Sequence, residues 1–292
     1  MKPASFHYHR AYTAEQAVTL LAELGDDAKL IAGGQSLVAM MNFRLARPAQ
    51  LIDIADVAAL RYVQHDVDGL RIGALTTHHA IETDYRDVLA DGFEVIVDAM
   101  RWIGHLPIRT RGTIGGSIAH ADATAEWCLL AVLLDAEIVT LSVRGRRSIA
   151  AGEFFYGFYS TALEPDEMIV EILFPAPARH AAMAEYAQRH GDFAVVAAAV
   201  NLHLEQDGSL RGGRVVLGGV GPVPVIADAA TAVLSSGRQL TPQAATECGS
   251  VTADSLDLDD AVPGGAAYTR GLVRNLVTRA LCQAAQLEEV VR

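Results

Sequence analysis

Near the N-terminus, apolar residues recur at helical spacing, then run together, then recur at helical spacing again, and each change marks an element. Thr13-Ala14-Glu15-Gln16 has capping-box spacing. Ala17, Leu20, Leu21 and Leu24 follow at the helical period until Gly25, a residue suited to a helix C-terminus. This predicts a helix over 13–25. "AKLIAGG" reads as a short buried strand, "SLVAMMNF" as a helix and "QLIDI" as a second strand after the break at Pro48. Together they make a β-α-β unit within residues 1–55.

A second, larger unit over 56–177 opens with two β-type segments in "LRYVQHDVDGLRIGA", joined at the tight-turn pair Asp68-Gly69. It continues through a helix near Phe93–Trp102, the glycine-rich loop "TRGTIGGSIAHAD", the apolar helix "TAEWCLLAVLLDA" and the strands "EIVTLSV" and "EMIVEILF". Pro175 and Pro177 punctuate its end. Over 178–292, "DFAVVAAAVNLHLEQDGSLRGGRVVLGGVG" predicts two long strands joined at Asp207-Gly208. Helices follow near 226–235, 241–249 and 266–286, a hairpin or meander with helices on one face.

Composition narrows the chemistry. With 35 acidic residues against 23 Lys and Arg, a net charge of -12, the chain has no general grip on a nucleic-acid backbone. Cys128, Cys248 and Cys282 form no C-x-x-C pair, so an iron–sulfur or zinc site in this chain is not expected. No secretory signal or apolar run of spanning length is seen, which makes the cytoplasm the expected compartment, with the inner face of the membrane as a second location.

Two glycine pairs, Gly33-Gly34 and Gly115-Gly116, each precede a serine and an apolar residue. A backbone without Cβ can approach an anion closely, while successive N–H groups and the hydroxyls of Ser36, Thr113 and Ser117 donate to it. A bulky residue at Gly33 or Gly115 is therefore expected to abolish phosphate binding without unfolding the chain. Either pair alone also reads as a tight strand-to-helix turn, and two matching pairs leave both readings open. Neither has the spacing of a dinucleotide fingerprint or a P-loop.

Other constellations carry less. His120, Asp122 and Glu126, and His78-His79 with Glu82, lack metal-site spacing, so no metal is assigned. "SIAHAD" is not a catalytic triad and no catalytic residue is assigned. Arg144, Arg146 and Arg147 read as a solvated turn.

"KLIAGGQSL", "LRIGALTTHHAIE", "IRTRGTIGGSIAHADATAE", "RHGDFAVVAAAV" and "LGGVGPVP", in this order over nearly the whole chain, resemble the FAD-binding medium subunit of molybdenum-containing hydroxylases. This is the family of the aerobic carbon monoxide dehydrogenase medium subunit and the xanthine dehydrogenase FAD subunit. The resemblance implies an α+β chain: two FAD-binding lobes of the vanillyl-alcohol oxidase-type (PCMH) fold, then a C-terminal α+β domain with an antiparallel sheet and helices.

It further implies that Ala32, Gly33, Gly34, Gln35, Ser36 and Leu37, with Gly112, Thr113, Ile114, Gly115 and Gly116, wrap the FAD pyrophosphate. Ser117 and Asp122 lie near the ribityl and ADP parts, and Phe193, after Gly191-Asp192, lies beside the isoalloxazine ring; read without the family, Phe193 is a core aromatic starting a strand. The chain departs from the pattern at Ala123, often proline, at Thr110, often asparagine, and at Gln35, histidine in the carbon monoxide enzyme. Gln35 favours the heterocycle or aldehyde branches, such as nicotine dehydrogenase. With no histidine inside either glycine loop, FAD is expected to be noncovalent.

By the same resemblance, a large subunit carries the molybdopterin cofactor and a small subunit two [2Fe–2S] clusters. FAD in this chain then passes electrons to an external acceptor, within a dimer of heterotrimers. The rival readings are a self-sufficient FAD-dependent oxidase or reductase with its own pocket, and an assembly subunit that has lost FAD.

Overall fold

The N-terminal capping signal works as a real cap: the Gln16 N–H donates to Thr13 Oγ1 (3.1 Å), and Gln16 Oε1 accepts from the Tyr12 N–H (2.9 Å). The helix Ala14–Leu24 follows and ends at Gly25, whose N–H returns to the Leu21 carbonyl. Its apolar stripe, Ala17, Val18 and Leu21, is buried in one core with Ile52. Ile52 belongs to a parallel sheet ordered His7–Arg10, Gln50–Asp53, Ala28–Ile31.

The computed structural model describes residues 2–259, 262 and 264–287. By packing, the chain forms two units: Met1–Val88, His105–Ala121 and Asp135–Pro175 make the first, and Leu89–Gly104, Asp122–Leu134 and Ala176–Arg292 the second. In the first, an antiparallel sheet ordered Val63–Asp66, Gly69–Gly73, Met168–Phe174, Glu137–Ser142, Gly145–Ala150 stands beside the parallel one. Leu141, Met168 and Val170 join the Ile52 core, so the two sheets share apolar packing. Asp66 pairs with Gly69, which puts the first tight turn at Val67-Asp68, one residue earlier than expected.

The second unit is built on an antiparallel sheet ordered Ala181–Tyr186, Val196–Leu204, Leu210–Gly218, Val225–Ile226. The long hairpin turns at Asp207-Gly208, where Gly208 takes φ 81. Strand residues alternate between faces. Val196, Ala198, Val200, Val215 and Leu217 pack in one core with residues of the helices Asp228–Leu234, Pro242–Asp254 and Ala266–Ala284.

The alternate set, Ala197, Ala199 and Val216, is buried as well, because the helix Glu126–Leu133 covers the other face and brings Leu129 against Gly218. Helices on one face only were expected; both faces are covered. That explains the unbroken apolar run "VAAAV", the mark of a strand dry on both sides, and the wholly buried Trp127–Leu133.

Within this unit two carboxyl groups are withdrawn from water. Burial, with Glu185 nearby, pushes Glu126 up to about 8, and burial pushes Glu185 up to about 7. Both are therefore neutral in the fold under mildly acidic conditions, whereas an unfolded glutamate ionises above pH about 4.5. The stability that neutral Glu126 confers is full below that value and is lost as pH rises towards 8. Urea denaturation from pH 5 to 8 is expected to show falling stability, and Glu126→Gln to flatten the fall; an unchanged slope in that variant refutes the assignment.

Candidate functional site

The strand Ala28–Ile31 stops where the apolar run meets Gly33-Gly34, and the helix Leu37–Asn42 begins three residues later. Gly34 sits at φ 71, in the left-handed region glycine enters without strain, with Ile31 and Val38 side chains closing on it from two sides. Gln35 folds back, its Nε2 donating to the Gly33 carbonyl (2.8 Å). Among the described residues, the N–H groups of Gly33, Gly34, Gln35, Ser36 and Leu37 donate to no protein acceptor, and the Ser36 hydroxyl makes no hydrogen bond. A loop normally satisfies or hydrates its amides, so a run of five open donors on one turn is suited to an anion.

These donors edge a cleft of about 460 Å³, which Ala32, Gly33, Gly34 and Gln35 line together with Asn42, Asp53 and Arg111. Arg111 is exposed and, among the described residues, has no carboxylate partner. Asp53 is held: Oδ2 accepts from Tyr8 Oη (2.5 Å) and Oδ1 from the Ala55 N–H (2.8 Å). Open amides and a guanidinium fit a diphosphate. Sequence reading missed Arg111, Asn42 and Asp53. Arg111 stands directly before the "GTIGG" motif, which was the available signal.

The second glycine pair offers different groups. Thr113 caps the helix Ile114–His120, its Oγ1 accepting from the Gly116 N–H (3.2 Å), and is itself buried. The N–H groups of Ile114, Gly115 and Ser117 go to the carbonyls of Thr76, Ala74 and Thr113. Gly115 is buried, and a Cβ there would lie 2.6 Å from that of Ala74; Gly116 is exposed and meets only the Thr113 hydroxyl. So in this loop the N–H groups of Gly112, Ile114, Gly115 and Gly116 are engaged within the protein, while that of Thr113 donates to no acceptor among the described residues. Its contribution to the cleft is the backbone at Arg111-Gly112, against which Gly33 is pressed: a Cβ on Gly33 would fall 1.9 Å from the Arg111 carbonyl oxygen.

His78 lies beneath the loop, where a Cβ on Gly112 would strike its Nε2 at 2.7 Å. Burial, then Arg109, holds its pKa down at about 3, so the imidazole is neutral. The remaining expected residues belong to the second unit. Asp122 Oδ1 accepts from the Thr124 N–H (2.9 Å) and hydroxyl (2.8 Å), a local turn. Phe193 is 73% exposed and precedes the strand Val196–Leu204, which excludes the core-aromatic reading. Among the described residues, no group of three or more His, Cys, Asp or Glu is placed to hold a metal, and no helix is long and apolar enough to cross a membrane.

Two sheets share a core, and a cleft lies where the two glycine loops meet, lined by open backbone amides and by Arg111. Residues 4–177 match the family model of the FAD binding domain in molybdopterin dehydrogenase, and residues 181–284 that of the CO dehydrogenase flavoprotein C-terminal domain. The chain belongs to this family of oxidoreductases, as an FAD-binding medium subunit of the molybdenum hydroxylase type.

It is 37% identical over 97% of its length, and 96% of the relative's, to the 6-hydroxypseudooxynicotine dehydrogenase complex subunit alpha of Paenarthrobacter nicotinovorans. To the nicotine 6-hydroxylase medium subunit of that organism it is 35% identical over 97% and 99%. A chain of quinoline 2-oxidoreductase from Pseudomonas putida 86 superposes with a TM-score of 0.92 at 33% identity, over 98% and 99% of the two chains. The fold is thus the vanillyl-alcohol oxidase-type FAD-binding fold with a C-terminal α+β domain.

Because Gly33 and Gly115 face the protein's own backbone, the expectation that substituting them spares the fold is overturned. Gly33→Val is expected to lower the melting temperature of flavin-free protein. Arg111→Ala should leave that temperature unchanged and weaken FAD binding about tenfold or more, the scale of a lost charge-assisted hydrogen bond. Titration of apoprotein with FAD checks both; unchanged affinity in Arg111→Ala removes Arg111 from the site.

Proposed function

We propose that the open amides of residues 33–37, with Arg111 and the Ser36 hydroxyl, hold the pyrophosphate of a noncovalent FAD, and that this chain is the electron outlet of a three-subunit hydroxylase. The observation that carries the reading is the run of five N–H donors without an acceptor beside an unpaired guanidinium. FAD supplies two-electron redox chemistry when bound, and the protein supplies its position and electrostatic surroundings.

The residues of the chain divide that work. Gly34 gives the loop its left-handed turn so that successive N–H groups converge, and Arg111 offsets the diphosphate charge. Ala32 and Leu37 flank the loop. Gly112, Thr113, Ile114 and Gly115 brace it from behind, leaving Gly116 and Ser117 on the accessible side. Asp122 is assigned to the ribityl and ADP side, and Phe193, whose exposed ring is otherwise unexplained, to the edge of the isoalloxazine. No side chain is assigned as acid, base or nucleophile.

In this reading residues 1–55 and 56–177 are the two FAD lobes and 178–292 the C-terminal domain; the family matches over 4–177 and 181–284 support the boundary near residue 177. A small [2Fe–2S] subunit donates electrons, a large molybdopterin subunit oxidises the substrate, an external acceptor receives the electrons, and the unit pairs as a dimer of heterotrimers in the cytoplasm. The relatives named for nicotine, pseudooxynicotine, caffeine and quinoline favour a nitrogen heterocycle as the partner's substrate.

Purified alone, the chain is expected to be yellow with flavin released by acid denaturation, and to oxidise no heterocycle. Co-expressed with the other two subunits, it is expected to support turnover with an added acceptor. A colourless chain, or turnover by the chain alone, overturns the proposal.

A further inference from the structure

The three strands of the parallel sheet end level. Arg10 and Ile31, the last residues of the outer strands, both lie opposite Asp53, the last residue of the central one. Parallel sheets with helical crossovers hold nucleotides beyond the carboxyl ends of their strands, where each strand gives way to a loop that can follow a ligand. The cleft obeys that rule, for it is lined by the loop that follows Ile31 and by Asp53 itself. Gly33 and Asp53 are therefore a glycine loop and a carboxylate at the ends of neighbouring parallel strands, twenty residues apart in the chain. The glycine spacing differs from that of a dinucleotide fingerprint, but the interval to an acid at the end of the next strand is the same. In those sites that acid takes a ribose hydroxyl.

The surroundings of Asp53 suit the same contact. Oδ2 accepts from Tyr8 Oη (2.5 Å) and Oδ1 from the Ala55 N–H (2.8 Å). Tyr8 Oη in turn accepts from Arg10 Nη2 (3.0 Å), so its own proton is directed to Asp53. A carboxylate oxygen can accept two hydrogen bonds, which leaves one direction open on each. Arg10 pairs with Asp56 (3.3 Å), and among the described residues no Lys, Arg or His forms an ion pair with Asp53.

A carboxylate in the same cleft as a diphosphate repels it unless the ligand places a hydrogen-bond donor on the carboxylate. A bare phosphate has no such donor to offer, whereas a ribose has two vicinal hydroxyls. A bridging divalent cation would need several oxygen ligands, and among the described residues no group of three or more His, Cys, Asp or Glu is placed to supply them.

We propose that Asp53 accepts a hydrogen bond from the 2′-hydroxyl of the adenosine ribose of FAD, with Tyr8 as the residue that positions its carboxylate, so that the cleft selects the dinucleotide over FMN. This rests on the reading of the cleft as the FAD site. FMN ends in one phosphate and has no second ribose, so it meets the open amides without engaging Asp53.

The test titrates flavin-free full-length protein with FAD, with the FAD analogue whose adenosine half is 2′-deoxyadenosine, and with FMN. Wild type should bind FAD about tenfold more tightly than the deoxy analogue, the scale of a hydrogen bond to a carboxylate. In Asp53→Ala that ratio should fall to near one, and the preference for FAD over FMN should fall by the same factor. Tyr8→Phe, which keeps the carboxylate but frees it to turn, should lower the ratio severalfold at an unchanged melting temperature.

A wild-type ratio near one, or a ratio unchanged in both variants, overturns the role of Asp53 and leaves the FAD reading intact. Equal weakening of FAD and the deoxy analogue in both variants assigns Asp53 to shaping the cleft alone, and also overturns it. If wild type binds neither flavin, the FAD reading fails, and titration with ADP and 2′-deoxy-ADP then decides the rest. Discrimination between these two that is lost in Asp53→Ala keeps the ribose contact; binding of neither overturns both.

Discussion

The pressing of Gly33 against the Arg111 carbonyl is the constraint on which the candidate site depends. Two segments far apart in sequence meet there with no room for a side-chain carbon, and only glycine permits an approach that close. The contact fixes where the first loop ends and turns its amides outward. It also carries Arg111 to the same cleft, so position and charge come from one packing event. Behind it, Gly112 lies on the neutral imidazole of His78 and Gly115 on Ala74, a column of small contacts that keeps the second loop rigid.

The two glycine pairs, alike in sequence, therefore divide the labour. The first leaves its hydrogen-bond donors open; the second spends them on Thr76, Ala74 and Thr113 to start a helix and brace its neighbour. Preorganised donors bind an anion without paying for reorientation at the moment of binding. The stiffness of one loop is what makes the openness of the other useful.

Much of this was legible from residue patterns, and the exceptions have physical reasons. Thr13 and Gln16 carry their own capping signal, Asp207-Gly208 its own turn, and the glycine pairs their own break, all local properties. The strand Ala181–Tyr186 was not read, because "AAMAEY" has helix-favouring residues and is extended only by pairing with Val196–Leu204. His7–Arg10 escaped for the same reason: its polar residues gain a strand only beside Gln50–Asp53. In the site, the loop was visible but the availability of each amide was not, since that depends on where remote carbonyls fall. Gly115 looked like a ligand-facing glycine and is a packing one.

The path of the chain between its two packed units has a consequence for modularity. The helices Glu94–Met100 and Glu126–Leu133 are interleaved in sequence with the glycine-loop region, yet pack in the unit built on the C-terminal sheet. The second of them is apolar all round, so it is stable only when enclosed. Cutting the polypeptide near residue 177 would leave that helix without its cover and the sheet without one face. The flavin half and the C-terminal half are thus inherited as segments but cannot be exchanged as cassettes: recombination between relatives must carry both sides of the Glu126–Leu133 packing together.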